Sequence, residues 1–311
     1  MSLDPISDTS TVRDARYLVG DPGDSRPVPF RASGDVRADP VRASPVSQVA
    51  PASSTPTELR AHALIAEDVY ADSPNPPEGF RVASEADLRA LNLTPSLLVG
   101  ADFRARVYAT GEGASAEYVV AFRGSQSLGD WIANVQQGAG IDSAHYRAAL
   151  AIGERIGRSD LAGQTSFTGH SLGGGLASAA AIASGRPADT FNAAGLHNDT
   201  IADANAIREA NGTASEAQVD AWYVDGEVLS VLQNGGDRVI GGAIGRFFGG
   251  FLGPVGGLAG GIGGAAVADM PEAYGTPHVL DASAPLGKNW FDGINPVDRH
   301  GMDWVLHNLP R

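Results

Sequence analysis

The run Gly-His-Ser-Leu-Gly-Gly at positions 169–174 constrains this chain more than any other feature. A β-forming run, 164–168, precedes it, and an Ala-rich, helix-compatible run, 175–184, follows it. A strand, a tight turn and a helix form the context in which the serine of a G-x-S-x-G pattern is exposed as a nucleophile. The flanking glycines have no Cβ, so the chain can turn sharply. We therefore predict a nucleophilic Ser171, against the alternative of an ordinary strand–helix turn.

Composition narrows the class of protein. The chain has 311 residues, of which 43% are hydrophobic, so it can bury a sizeable core. Its net charge of −14 argues against a nucleic-acid partner. The sequence contains no cysteine, so a disulfide, a thiolate metal site and a cysteine nucleophile are all excluded.

The chain divides into a tail and a catalytic-sized domain. Residues 1–55 are rich in Pro, Ser, Asp and Arg and lack apolar periodicity, which predicts a disordered tail. A recruitment or export segment is the alternative interpretation of the same residues. The first 30 residues have no apolar core run, so we expect no cleavable secretory signal. Residues 56–311 are predicted to form one domain.

Periodicity within that domain predicts alternating helices and strands. Apolar residues at helical spacing indicate a helix over 57–70, and Ser84 is the expected N-cap of a second helix. The other predicted elements are strands at 103–108, 117–122, 190–194 and 219–224, and helices at 145–156 and 201–210. This order predicts an α/β fold with a mostly parallel sheet. Active sites in such sheets lie beyond the carboxyl ends of the strands.

Two motifs carry a resemblance to a known family. Residues 119–134, which include Arg123-Gly124-Ser125 and Asp130-Trp131, resemble the oxyanion-loop segment of the class 3, fungal-type lipases. Residues 169–174 resemble the elbow of that family. The wider run 103–196 looks closer to a bacterial branch that includes lipase effectors delivered by contact-dependent secretion systems.

The resemblance, strong over about 100–230, implies an α/β-hydrolase fold and carboxylic ester hydrolysis by a Ser-Asp-His triad without a cofactor. It also implies a lipid or membrane substrate, a cognate immunity protein and a secretion-machinery carrier. The protein would then be cytoplasmic when made and exported to a target cell.

The acid of the triad is predicted to follow a strand after the nucleophile, because α/β-hydrolases place Ser, acid and His in that chain order. Asp225 directly ends the β-rich run 219–224 and resembles the strand–Asp turn of the family, so it is the predicted acid. Asp199, which follows the preceding strand closely, and Glu227, two residues beyond the turn, are the rivals.

Three histidines lie downstream of the acid and could serve as the base. His300 lies in a polar loop before an apolar terminal helix, which matches the layout of the family, and it is the predicted base. His278 looks like part of an edge strand, and His307 lies within the terminal helix.

The predicted oxyanion hole combines two backbone donors. Leu172 follows the nucleophile and supplies one N–H in this fold, and Ser125 matches the second donor of the family. Asp130 and Trp131 are expected to hold this loop in place. His170 is expected to have a packing role.

A glycine-rich apolar insertion is predicted at 236–269. Within it, glycines recur every four residues from 241 to 261, and Arg246 is the one charged residue between 239 and 268. Such spacing allows close helix approach, although Pro254 divides the run into halves too short to span a bilayer. The interpretations are an apolar cover or lipid-docking hairpin, a membrane-inserting segment, and a passive loop.

The leading functional hypothesis is a serine hydrolase of lipid esters, of phospholipase A type. One alternative is a general carboxylesterase acting on soluble esters. The other is a membrane-disrupting toxin that acts through the glycine-rich segment.

Overall fold

A computed structural model describes residues 54–125, 143–229, 271–288 and 296–311 of the chain. All of these residues belong to one compact unit, Gln48–Arg311. Predictions for residues 1–53, for Asp130 and Trp131, and for the glycine-rich insertion at 236–269 lie outside the described residues.

A seven-stranded sheet forms the centre of the fold, and its strands lie side by side in chain order. The β1–β2 and β2–β3 pairs are antiparallel, and each neighbouring pair from β3–β4 to β6–β7 is parallel. The carboxyl ends of β3 to β7 therefore meet at one edge. The strands are β1 (Phe80–Val82), β2 (Ala105–Thr110), β3 (Glu117–Phe122), β4 (Thr165–His170), β5 (Ala188–Phe191), β6 (Val219–Val224) and β7 (Thr276–Leu280).

Helices connect and flank the strands. The described α-helices are α1 (Pro56–Asp68), α2 (Glu85–Ala90), α3 (Pro95–Leu98), α4 (Ser143–Gly157), α5 (Leu172–Ser184), α6 (Asn198–Ala210), α7 (Pro296–Arg299) and α8 (Met302–Asn308). Short 3-10 helices span Gly113–Ser115 and Ala162–Gln164. The α/β class and the mostly parallel sheet predicted from the sequence are confirmed.

The helices pack on both faces of the sheet. On one face, α5 is buried along its whole length between α4 and α6. Its alanines let α4 approach closely, and a Cβ on Gly153 of α4 would lie 2.5 Å from the carbonyl oxygen of Ala180. On the other face, α1 and α8 pack together over β4, β5 and β6. The result is a three-layer α/β/α arrangement.

The helix α1 begins where its sequence predicts. Thr55 is its N-cap and forms a capping box with Glu58, in which each side chain bonds the backbone N–H of the other residue. The helix buries Leu59, Ala63 and Ile65 against the sheet. Ser84 caps α2 in the same way, as predicted.

Among the described residues, none of the helices combines the length and the apolar character needed to cross a bilayer.

Candidate active site

The elbow at Ser171 has the geometry that the sequence predicts. Ser171 separates β4 from α5 and is held at φ 60°, ψ −130°, a strained conformation for a residue with a side chain. A Cβ on Gly169 would overlap the carbonyl of Gly173, and one on Gly173 would overlap the carbonyl oxygen of Phe122. Gly169 is therefore needed for the strand to approach the start of α5, and Gly173 for that start to pack against the end of β3.

The predicted oxyanion residues flank this serine. Leu172 is the first residue of α5, so its backbone N–H has no acceptor one turn earlier in the helix. Gly124, just beyond β3, packs on the elbow: a Cβ there would lie 2.6 Å from the His170 carbonyl oxygen and 3.2 Å from Ser171 Cβ. The end of β3 that leads into Ser125 thus lies directly beside Ser171.

His300 lies between α7 and α8 and is 3% exposed. Its Nδ1 lies 2.7 Å from Oε2 of Glu227, while its Nε2 is buried with no hydrogen-bond partner among the described residues. A carboxylate only accepts hydrogen bonds, so Nδ1 carries the proton and donates a hydrogen bond to Glu227. The other ring nitrogen, Nε2, is therefore free to accept a proton from a hydroxyl group.

The structure differs from the sequence prediction at the acid, because it pairs His300 with Glu227 and not with Asp225. Asp225 is exposed, and its backbone carbonyl accepts a hydrogen bond from Nη1 of Arg299 at 2.8 Å. Glu227 is 1% exposed. Its N–H bonds the Val224 carbonyl at 3.1 Å, so a turn with Gly226 at φ 69° directs Glu227 inward. In the sequence, an Asp-Gly turn followed by Glu and two apolar residues is the feature that could have indicated a buried Glu227.

Two side chains anchor the loop that carries His300. Asn192, which follows β5 with φ 43°, donates from Nδ2 to the His300 carbonyl at 2.9 Å. Its Oδ1 accepts from the Val224 N–H at 3.0 Å. His170, at the end of β4, places Nε2 2.7 Å from the same His300 carbonyl oxygen. The loop of His300 is thus tied to the carboxyl ends of three parallel strands.

The other sequence candidates lie elsewhere. Nε2 of His278, on β7, is 2.7 Å from Oδ1 of Asp220, and the ring stacks on Trp222 with centroids 4.2 Å apart. His307 is exposed on α8, and Asp199 is exposed at the start of α6, 3.3 Å from Nδ1 of His197.

A Ser-His-Asp arrangement occurs at the opposite end of the sheet, beside a cavity of about 230 Å³. Nδ1 of His62 lies 2.6 Å from Asp189, and Nε2 lies 3.3 Å from Oγ of Ser166. Ser166 lies within β4, without the strained turn and the helix N-terminus that adjoin Ser171. We interpret this cluster as a buried link between α1 and the sheet.

Within the described residues, no three His, Asp or Glu side chains are arranged to hold a metal ion.

A strained serine at a strand–helix elbow, preceded by a residue that contacts a histidine–carboxylate pair at the carboxyl edge of a parallel sheet, defines an α/β-hydrolase type of fold. The family model for the Tle-like phospholipase domain matches residues 61–285, and the chain belongs to this phospholipase-like family.

A curated relative agrees with this assignment. The extracellular phospholipase A1 of Serratia liquefaciens is 34% identical over 174 residues, which cover 54% of this chain and 52% of that protein. The chain therefore matches about half the length of this relative. These findings agree with the bacterial phospholipase branch of the predicted resemblance, while the likeness to class 3 lipases stays a prediction carried by the two motifs.

Proposed function

We propose that this protein hydrolyses carboxylic ester bonds of phospholipids, with Ser171 as nucleophile, His300 as base and Glu227 as the acid that orients the base. One observation carries the proposal: Glu227 bonds Nδ1 of His300, and Nε2 of His300 has no partner among the described residues. The backbone of His300 is in turn bonded by His170, the residue before Ser171. Asp225, the acid predicted from the sequence, has no part in this assignment.

The proposed chemistry follows from these atoms. Oγ of Ser171 attacks the ester carbonyl carbon while Nε2 of His300 takes the hydroxyl proton. The carboxylate of Glu227 stabilises the imidazolium that forms. His300 then gives the proton to the departing alcohol, which leaves an acyl group on Ser171, and a water activated by His300 releases the fatty acid. The backbone N–H groups of Leu172 and Ser125 stabilise the negative oxygen in both steps.

Phospholipid is the proposed substrate class because the chain belongs to a phospholipase-like family and a relative is named a phospholipase A1. We therefore propose acyl-ester cleavage of A type. The net charge of −14 opposes adsorption to an anionic membrane surface, so the protein is expected to dock through apolar contacts. The family and the extracellular relative also support the proposals of export to a target cell and of an immunity protein in the producing cell.

Mass spectrometry of vesicle lipids tests the proposal directly. Phosphatidylcholine and phosphatidylethanolamine with different acyl chains at the two glycerol positions are incubated with wild type, with Ser171→Ala and with Ser178→Ala. Ser178 is a matched control, since it is a buried serine of α5 whose hydroxyl bonds the Gly174 carbonyl at 3.0 Å. We expect lysophospholipid and free fatty acid from wild type and Ser178→Ala, and neither from Ser171→Ala.

The identity of the released acyl chain gives the position that is cut. A wild-type protein that is folded and releases neither product would overturn the proposed substrate class. A serine-directed phosphonate tests the nucleophile separately, and labelling at a residue other than Ser171 would overturn that assignment.

A further inference from the structure

His170 is bonded at both ring nitrogens, which the packing role expected from the sequence does not require. Nε2 lies 2.7 Å from the carbonyl oxygen of His300, and Nδ1 lies 3.2 Å from the hydroxyl of Tyr70. The two imidazole rings are 4.6 Å apart between centroids. The residue before the nucleophile therefore contacts the backbone of the base directly.

The bonding pattern determines the tautomer of His170. A carbonyl oxygen only accepts, so Nε2 of His170 carries the proton and donates to His300. In the neutral ring Nδ1 is then an acceptor, and the Tyr70 hydroxyl is positioned to donate to it. The same hydroxyl lies 3.3 Å from the His170 carbonyl oxygen, which is a second acceptor on the same residue.

Tyr70 also reaches the oxyanion side of the site. Its hydroxyl accepts the backbone N–H of Gly124 at 3.0 Å. Gly124 is the residue before Ser125 and packs on the elbow. One tyrosine at the end of the α1 segment thus contacts the start of the oxyanion loop and, through His170, the loop of the base.

The charge states of His170 and Tyr70 suit side chains that lie close to the proposed base. Burial and the nearby His300 together lower the pKa of His170 to about 3, in spite of the hydrogen bond to the His300 carbonyl. Burial also raises the pKa of Tyr70, although the Gly124 N–H and Arg123 oppose this. Both side chains are therefore neutral at the pH of catalysis, and neither repels the imidazolium that forms on His300.

We propose that Tyr70 and His170 are positioning residues that hold the oxyanion loop, the nucleophile elbow and the base loop in register through the chain Gly124 N–H, Tyr70 hydroxyl, His170 ring and His300 carbonyl. The proposal rests on the function proposed above. Neither residue touches the reacting atoms, and each acts through the group to which it is bonded. Asn192 supplies a second bond to the His300 carbonyl, so loss of the chain displaces the base without releasing it.

Substitutions that remove one or more of these hydrogen bonds test the proposal. Tyr70→Phe removes one hydroxyl, His170→Phe removes both ring bonds, and His170→Gln retains an amide N–H near the position of Nε2. On a short soluble ester we expect kcat to fall on the order of 100-fold in His170→Phe, the loss typical of a small misplacement of catalytic groups. Tyr70→Phe should show a smaller fall, and KM should stay close to the wild-type value. His170→Gln should recover most of the kcat that His170→Phe loses.

Tyr108→Phe is the matched control. Tyr108 is a fully buried tyrosine of β2 whose hydroxyl donates to Asp68 at 2.6 Å and accepts from Arg106, neither of which belongs to the elbow. This variant should lose thermal stability but keep its kcat. The positioning proposal is overturned if all three variants, Tyr70→Phe, His170→Gln and His170→Phe, keep the wild-type kcat. It is also overturned if Tyr108→Phe loses as much kcat as Tyr70→Phe, or if Gln is no better than Phe at position 170.

Ser171→Ala separates this proposal from the proposed function. An active Ser171→Ala protein would contradict the proposed function, whatever the Tyr70 variants do. An inactive Ser171→Ala protein beside fully active Tyr70 and His170 variants would contradict the positioning chain alone. If His170→Phe does not fold, Tyr70→Phe and His170→Gln decide the question.

Discussion

At the scale of single residues, the orientation of Glu227 depends on Gly226. Gly226 has φ 69°, a left-handed conformation that favours glycine, and a Cβ there would lie 2.8 Å from Nη1 of Arg299. The same guanidinium bonds the Asp225 carbonyl at 2.8 Å and so holds the turn against the loop of His300. The turn reverses the chain within three residues of β6, which leaves Asp225 in solvent and buries Glu227.

Glu227→Gln should therefore inactivate the protein while Asp225→Asn should not. The amide keeps the shape of the side chain but loses the charge that orients and stabilises His300, and the comparable Asp-to-Asn change in a serine protease costs on the order of 10⁴-fold in kcat. Asp225→Asn leaves the backbone bond to Arg299 in place. The measurement is kcat on a soluble ester for both variants. A dead Asp225→Asn beside a near-normal Glu227→Gln would restore the acid predicted from the sequence.

At the scale of elements, the end of β3 and the elbow form one closely packed unit. A Cβ on Gly124 would overlap the Tyr70 hydroxyl and lie 2.6 Å from the His170 carbonyl oxygen. The second of these contacts is backbone, so the strand end must move to accommodate a methyl group. The position of Ser125, a proposed oxyanion donor, therefore depends on the absence of a side chain at position 124.

Gly124→Ala is expected to lower kcat on the order of 100-fold, because displacement of one oxyanion donor has an effect of that size. Gly163→Ala is the control, since a Cβ at position 163 would meet no atom within 4 Å and its backbone is not in the left-handed region. Rates on a soluble ester and thermal unfolding are measured for both. Wild-type kcat in a folded Gly124→Ala protein would contradict the close packing.

Elements with a strong local signal are predicted well from the sequence. The helix α1 has a capping box and periodic apolar residues, and the elbow has its glycines, so both lie within a few residues of the prediction. The strand predicted over 190–194 ends at Phe191 instead, because Asn192 turns to bond the Val224 N–H and the His300 carbonyl. That contact joins residues distant in sequence, so local pattern cannot reveal it.

In the candidate site too, residues positioned by local turns are predicted better than residues positioned by contacts distant in sequence. Ser171, Leu172 and the end of β3 are positioned by local turns, and the sequence indicates them. The acid depends on a contact between His300 and a residue 73 positions earlier, so spacing alone left Asp225 and Glu227 open. The three-residue strand β1 was not predicted, since its order depends on pairing with β2.

The glycine-rich segment carries an element-scale prediction that rests on sequence alone. It lies outside the described residues, and its apolar, nearly uncharged composition favours lipid handling over chemistry. Gly249→Leu or Gly257→Leu should weaken hydrolysis of vesicle phospholipid far more than hydrolysis of a short soluble ester, because bulky residues obstruct close helix approach. Equal losses on both substrates would mean that the segment supports the fold, and no loss would make it a passive loop.

At the scale of the whole molecule, one buried histidine–carboxylate pair joins α1 to the sheet and another joins two neighbouring strands. Asp189 and Asp220 are partners in the register of β5 and β6, and each carboxylate bonds a histidine, His62 of α1 and His278 of β7. Trp222 lies between the pairs: its Nε1 donates to Asp189 at 3.2 Å, and its ring stacks on His278. The attachment of α1 to the sheet therefore depends on charge as well as on apolar packing.

Asp189 gives this attachment a pH dependence. Burial raises the pKa of Asp189, but hydrogen bonds from His62, Ser54 and Trp222 and the charge of His62 outweigh burial, so the pKa lies below its usual value. A carboxyl with a lower pKa in the folded state adds stability at pH values above its unfolded pKa of about 3.9. That stability is lost as the pH falls through the folded value.

We expect Asp189→Asn to lower the free energy of unfolding at pH 7 by about 3 kcal/mol, since it leaves His62 buried without its carboxylate. Below about pH 4 the difference from wild type should shrink, because the wild-type carboxyl is then protonated as well. Urea unfolding measured from pH 7 to pH 3 gives both quantities. Asp225→Asn, which changes an exposed carboxylate, should show the wild-type pH dependence. A constant difference between Asp189→Asn and wild type across this range would mean that the pair stabilises the fold by shape and not by charge.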